Sequence, residues 1–113
     1  MTARALGLRT WLLQRLSALY MAVYTVIALF WLYLSGPIDF VAWQELLAHP
    51  LINIFTQLFI YSLLAHAWIG VKDIFIDYVP NTRLRFVLFI TISLLQIILA
   101  FWTFMAFYGV VRL

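Results

Sequence analysis

A chain of 113 residues that is 67% hydrophobic and only 10% charged is too apolar for a soluble domain, in which about half the residues are apolar and a quarter charged. It reads as an integral membrane protein, and its net charge of +3, carried by sparse basic residues, is no signal for nucleic acid. With no cysteine the chain makes no disulfide, thiolate metal site or iron–sulfur ligation, so a redox centre must be held by histidine or belong to a partner.

In chain order, the short basic start Met1-Thr2-Ala3-Arg4-Ala5-Leu6-Gly7-Leu8-Arg9 precedes an apolar segment. That segment is longer than a signal-peptide core and lacks a small-x-small cleavage site, so a retained helix is expected. The first span is predicted at about 11–34, long enough to cross ~30 Å of hydrocarbon. Ser35-Gly36-Pro37 ends it. Gln14, Ala18, Met21, Ala22, Thr25 and Ala28 form a small or polar face suited to helix packing. A connector with Asp39, Phe40, Val41, Trp43, Glu45 and Leu46 suggests a short amphipathic piece at the interface. His49 is read as a surface or cap residue, followed by Pro50 at a helix start.

The second span is predicted at about 51–71, with a helical extension into water. Val79-Pro80-Asn81 breaks it, and a basic entry at Arg83 and Arg85 leads to a third span at about 86–111. Gln96, Ala100 and Thr103 mark that span's packing face. The expected fold class is therefore all-α: an integral membrane protein of three transmembrane helices, forming a single membrane-anchor domain over 1–113. Arg4, Arg9, Arg15, Lys72, Arg83 and Arg85 lie toward one side and only Arg112 toward the other. The positive-inside rule then expects the N-terminus and second connector in the cytoplasm and the C-terminus in the periplasm.

The second span carries the chemistry. At helical spacing His66, Gly70, Asp73 and Asp77 share one stripe running from membrane depth to water. An ionisable residue within a span is a functional-site hypothesis. His66 would lie ~8 Å inside the cytoplasmic end. Neutral imidazole is a good haem-iron ligand, and Gly70 one turn on leaves room for a flat macrocycle. The alternative is a histidine hydrogen-bonded across a helix interface. One deep histidine means that a bis-histidine haem takes its second ligand from a partner. Tyr78 beside Asp77 can donate to a quinone carbonyl, with the carboxylate orienting it or relaying protons. As an alternative, Tyr78 is an interfacial anchor. Arg15 either pairs with haem propionates or snorkels to headgroups. Lys72 and Arg83 serve topology, and Asp73 a subunit contact.

Two motifs carry a resemblance. Gln14-Arg15-Leu16-Ser17-Ala18 is similar to the Arg-x-Ser/Thr-Ala opening of the first helix of a known family, and His66-Ala67-Trp68-Ile69-Gly70-Val71 followed by Asp77-Tyr78-Val79 is similar to its second helix. Over nearly its whole length the chain resembles the hydrophobic membrane anchor subunits of bacterial succinate dehydrogenase, respiratory complex II. The charged pair Lys72-Asp73 departs from that pattern and bears on packing against the catalytic subunits.

The resemblance implies a heteromeric helix bundle in the cell inner membrane. His66 matches the axial ligand of haem b, opposite a ligand from the cytochrome b556 anchor subunit. Tyr78 matches the tyrosine that hydrogen-bonds ubiquinone, Asp77 its neighbour, and Arg15 an arginine near the propionates. Electrons would arrive from succinate through a flavoprotein subunit and an iron–sulfur subunit. Two other readings stay open: a structural anchor or assembly protein without cofactor, and the anchor of a related quinol:fumarate reductase.

Overall fold

The computed structural model describes the backbone of residues 3–113 and the side chains of residues 7–113. Arg4, counted above for orientation, lies outside the described side chains. The described residues form four helices: α1 (Ala3–Ser35), α2 (Phe40–Ala48), α3 (Pro50–Tyr78) and α4 (Thr82–Tyr108). Among the described residues there is no strand. Within α1, residues Gly7–Ser35 are long and apolar enough to cross a membrane, as are α3 and α4. The 29 residues of α3 rise ~43 Å, more than the ~30 Å of hydrocarbon, so an end of this helix reaches into the polar layer.

Each break has a local cause. Gly36 takes φ +75°, a left-handed conformation that is costly for a residue with a Cβ, and its N–H bonds to the Leu32 carbonyl at 3.1 Å. Pro37 follows. Asp39 starts α2 by accepting from Ala42 N–H at 2.8 Å, an N-cap that satisfies an otherwise orphaned donor. His49 ends α2 and caps α3, its Nδ1 accepting from Leu51 N–H at 3.3 Å. Pro50 at the first helical position forfeits no helical hydrogen bond. Val79-Pro80 ends α3, and Asn81 Oδ1 caps α4 by accepting from Arg83 and Leu84 N–H at 3.0 and 3.2 Å.

The third span was expected to run to about residue 111, but α4 stops at Tyr108. Glycine follows at 109, and the chain turns back toward α2. Arg112 N–H bonds the Ala48 carbonyl at 2.9 Å, and its guanidinium grips both oxygens of Glu45 at 3.2 Å.

α3 is the central element, packed by α1 on one side and α4 on the other, with α2 folded against it. Both long pairs are antiparallel. The α1–α3 seam is polar in places: Tyr20 Oη donates to the Phe55 carbonyl at 2.6 Å, and Tyr24 Oη bonds Thr56 Oγ1 at 2.7 Å. Gln14, Ala18, Met21 and Ala28 of the face the sequence suggested are half-buried as expected, but the packing face of α1 is rotated past the rest of it. Ala22 and Thr25 are exposed, while Ser17 is buried and Tyr20 and Tyr24 face α3. Aromatic contacts of Trp68 and Phe75 with Phe89 hold the α3–α4 seam.

Among the described residues only Ser17, Ala48, Asn53 and Ile69 are buried, and large apolar side chains are exposed along all three long helices. That surface far exceeds the patch a soluble monomer leaves uncovered and requires lipid or partner helices as its cover. The interior is polar where it is tightest. Asn53, 1% exposed, donates to the Leu47 and Phe107 carbonyls at 2.8 and 2.9 Å, tying the ends of α2 and α4 to α3. Gln57 Nε2 donates to Asn53 Oδ1 at 2.7 Å and Tyr61 Oη to Gln57 Oε1 at 3.0 Å, extending a ladder along α3.

Candidate functional site

The antiparallel pairing of α1 and α3 sets the start of one against the latter half of the other. There a cleft of about 620 Å³ opens between the helices, within the ~300–1,000 Å³ usual for ligand sites. Thr10, Trp11, Gln14, Arg15 and Ala18 line it from α1, and His66, Ile69, Lys72 and Asp73 from α3. The lining passes from apolar near Ala18 and Ile69 to charged near Arg15, Lys72 and Asp73. A ligand with an apolar body and an anionic end matches that gradient.

His66 sits at the inner part of this wall, and both of its ring nitrogens have partners on α1. Nδ1 lies 3.1 Å from Ser17 Oγ, and Nε2 lies 3.4 Å from Gln14 Nε2. Ser17, 5% exposed, also donates its hydroxyl hydrogen to the Gln14 carbonyl at 3.1 Å. Gln14 Oε1 is buried with no partner among the described residues, a costly state for an amide oxygen. Arg15 stacks on Trp11, its guanidinium carbon 5.6 Å from the ring centre, a cation–π contact that holds the charge at the cleft. Over Gly70 there is open space among the described residues: a Cβ added there meets none of them within 4 Å.

The cleft thus brings together two of the residues singled out in the sequence, His66 and Arg15. Asp77 and Tyr78 lie outside it. Both are exposed, Tyr78 at 78%, on the last turn of α3. The rise from residue 66 to residue 78 is ~18 Å, so the histidine and the tyrosine mark two separate places on one helix. Asp73 and Lys72, read from sequence as surface and topology residues, line the cleft mouth. Sequence reasoning named Ser17 only within the motif of the first helix and did not foresee its contact with His66. The available signal was a serine one turn from Gln14 on the same face of a span, since a hydroxyl inside a membrane helix seeks a partner. Among the described residues no three His, Asp or Glu side chains gather as a metal-ion set.

The Arg9, Arg15, Lys72, Arg83 and Arg85 positions all fall at the end of the bundle that carries the cleft mouth, whereas Arg112 lies at the opposite end, ion-paired to Glu45. A model of the family described as succinate dehydrogenase/fumarate reductase transmembrane subunit matches residues 1–101. The chain is also similar to the succinate dehydrogenase hydrophobic membrane anchor subunit of Coxiella burnetii (strain RSA 493 / Nine Mile phase I). The two are 40% identical over 91 residues, covering 80% of this chain and 79% of that protein. Taken with its three membrane-length helices, these matches show that the chain is a multi-pass membrane anchor belonging to the succinate dehydrogenase/fumarate reductase transmembrane subunit family.

Proposed function

We propose that this chain, as one membrane-anchor domain over residues 1–113, fixes a succinate dehydrogenase to the bacterial inner membrane, shares a haem b with a cytochrome b556 anchor subunit, and forms part of the site where ubiquinone is reduced. The observation that carries the reading is His66 on the wall of the α1–α3 cleft, with Arg15 toward its mouth. The donor set fits the group. One imidazole is available within a largely apolar cleft, a guanidinium stands where acidic substituents would lie, and open space over Gly70 leaves the helix backbone approachable. Haem b, when bound, supplies one-electron oxidation and reduction. His66 would hold the iron from this side and Arg15 would pair with the propionates.

The cluster of cations at the cleft end supports a cytoplasmic N-terminus and α3–α4 turn, with the C-terminus periplasmic. Tyr78 and Asp77 then lie at the cytoplasmic surface, where the iron–sulfur subunit would dock, with the flavoprotein subunit beyond it. The Tyr78 hydroxyl would donate to a quinone carbonyl, and Asp77 would orient it or pass protons from water. Because Tyr78 is exposed in this chain, the other wall of a quinone slot must come from partner subunits.

A second reading has its own observation. Both ring nitrogens of His66 already have partners within the chain, as a purely packing histidine would. The spectrum of the purified complex separates the two: a b-type reduced spectrum with all subunits present supports the first, and a complete, active complex without haem favours the second. Co-purified subunits and quinone type separate a succinate dehydrogenase from a quinol:fumarate reductase.

A further inference from the structure

We infer that Ser17 is a positioning residue for His66, fixing the ring tautomer that leaves Nε2 free to bind iron. The inference rests on the haem reading above and deepens it.

A serine hydroxyl has one hydrogen to give. Ser17 gives it to the Gln14 carbonyl at 3.1 Å. With that hydrogen on the carbonyl, the contact with His66 Nδ1, also 3.1 Å, is made by the ring: Nδ1–H donates and Ser17 Oγ accepts. A neutral imidazole with its proton on Nδ1 carries its lone pair on Nε2. At Nε2 the neighbour is the side-chain amide of Gln14, 3.4 Å away. The two contacts are unequal. The one at Nδ1 has ordinary hydrogen-bond length, whereas 3.4 Å at Nε2 is long and weak. A ligand bond at Nε2 displaces the weaker partner and keeps the stronger.

The serine is set for this role by its surroundings. It is 5% exposed, so water does not compete for its oxygen, and the bond back to the carbonyl of its own helix fixes the hydroxyl direction. An acceptor on the far nitrogen orients a ligating imidazole and raises its basicity. A more basic imidazole favours oxidised iron, so removing the acceptor should raise the haem midpoint potential.

The test uses the whole purified complex with Ser17→Ala, Ser17→Thr and His66→Ala. Haem per complex, midpoint potential and the electron paramagnetic resonance spectrum of the oxidised haem are measured for each. The expected result is a more positive potential and a shifted haem resonance in Ser17→Ala, with Ser17→Thr returning both toward native because its hydroxyl can accept in the same place. If Ser17→Ala loses haem or fails to assemble while Ser17→Thr keeps native values, the positioning role also stands. Native potential and resonance in Ser17→Ala, with haem lost in His66→Ala, would overturn the role of Ser17 and leave the ligand assignment intact. Equal disturbance in Ser17→Ala and Ser17→Thr would reduce Ser17 to packing. A native haem spectrum in His66→Ala would remove the ligand assignment itself, and the inference with it.

Discussion

Tyr78 and Gly70 both face space that no described residue fills. Tyr78 is exposed on the last turn of α3, with Val79-Pro80 fixing where the helix stops. No contact within the described residues demands a phenol there, whereas a quinone carbonyl would. Tyr78→Phe should leave the fold and haem content unchanged, because the ring is kept and only an exposed hydroxyl is lost. Quinone reduction should fall about tenfold or more, the scale of one hydrogen bond to a group gaining negative charge. Succinate oxidation measured with a soluble artificial acceptor should stay native. Equal loss in both assays would place the defect elsewhere, and full quinone activity would return Tyr78 to an interfacial anchor. Gly70 makes the matching point about space. Among the described residues nothing lies within 4 Å of a Cβ added there, so none of them requires the glycine.

At the scale of helices, the polar ladder of α3 does what apolar packing cannot do in lipid. Where the solvent is as apolar as the side chains, helix association depends on close contact and interhelical hydrogen bonds. Asn53 supplies two such bonds at the periplasmic end proposed above, one to the last turn of α2 and one to that of α4. Asn53→Leu should destabilise the subunit by ~1–3 kcal/mol, since it frees two carbonyls and strands the Gln57 amide. The check is thermal unfolding of the detergent-solubilised complex, and an unchanged transition would show that partner subunits alone set its stability.

The helices themselves were legible in the sequence, because twenty or more apolar residues between Gly, Pro and Asn signals have few other solutions. The faces were less so. In α1 a small-residue stripe suggested Ala22 and Thr25 as packing positions, but the seam runs through Ser17, Tyr20 and Tyr24. A helix apolar all round carries no amphipathic record of which side meets protein. His66 was legible because an ionisable ring within a span is rare. Its partner Ser17 was not, because the pairing register of two helices is a tertiary fact.

For the molecule as a whole, the distribution of charge and the near-absence of a buried core point the same way. The bundle is one part of a larger membrane assembly, and the proposed orientation puts its cleft end toward the cytoplasm. Because the chain has no cysteine, single introduced cysteines report orientation on a clean background. Thr82→Cys, at the α3–α4 turn, should be labelled by an impermeant reagent only from the cytoplasmic side, and Phe40→Cys, at the start of α2, only from the periplasmic side. The opposite pattern would reverse the orientation and move Tyr78 away from the hydrophilic subunits. The account stands most directly on His66, and the reduced-minus-oxidised spectrum of the membrane complex, native against His66→Ala with subunit recovery verified, tests it. Loss or a clear shift of the b-type signal in an otherwise complete complex is the predicted result. A native-like signal in the variant would contradict the account and leave His66 as a packing residue between α1 and α3.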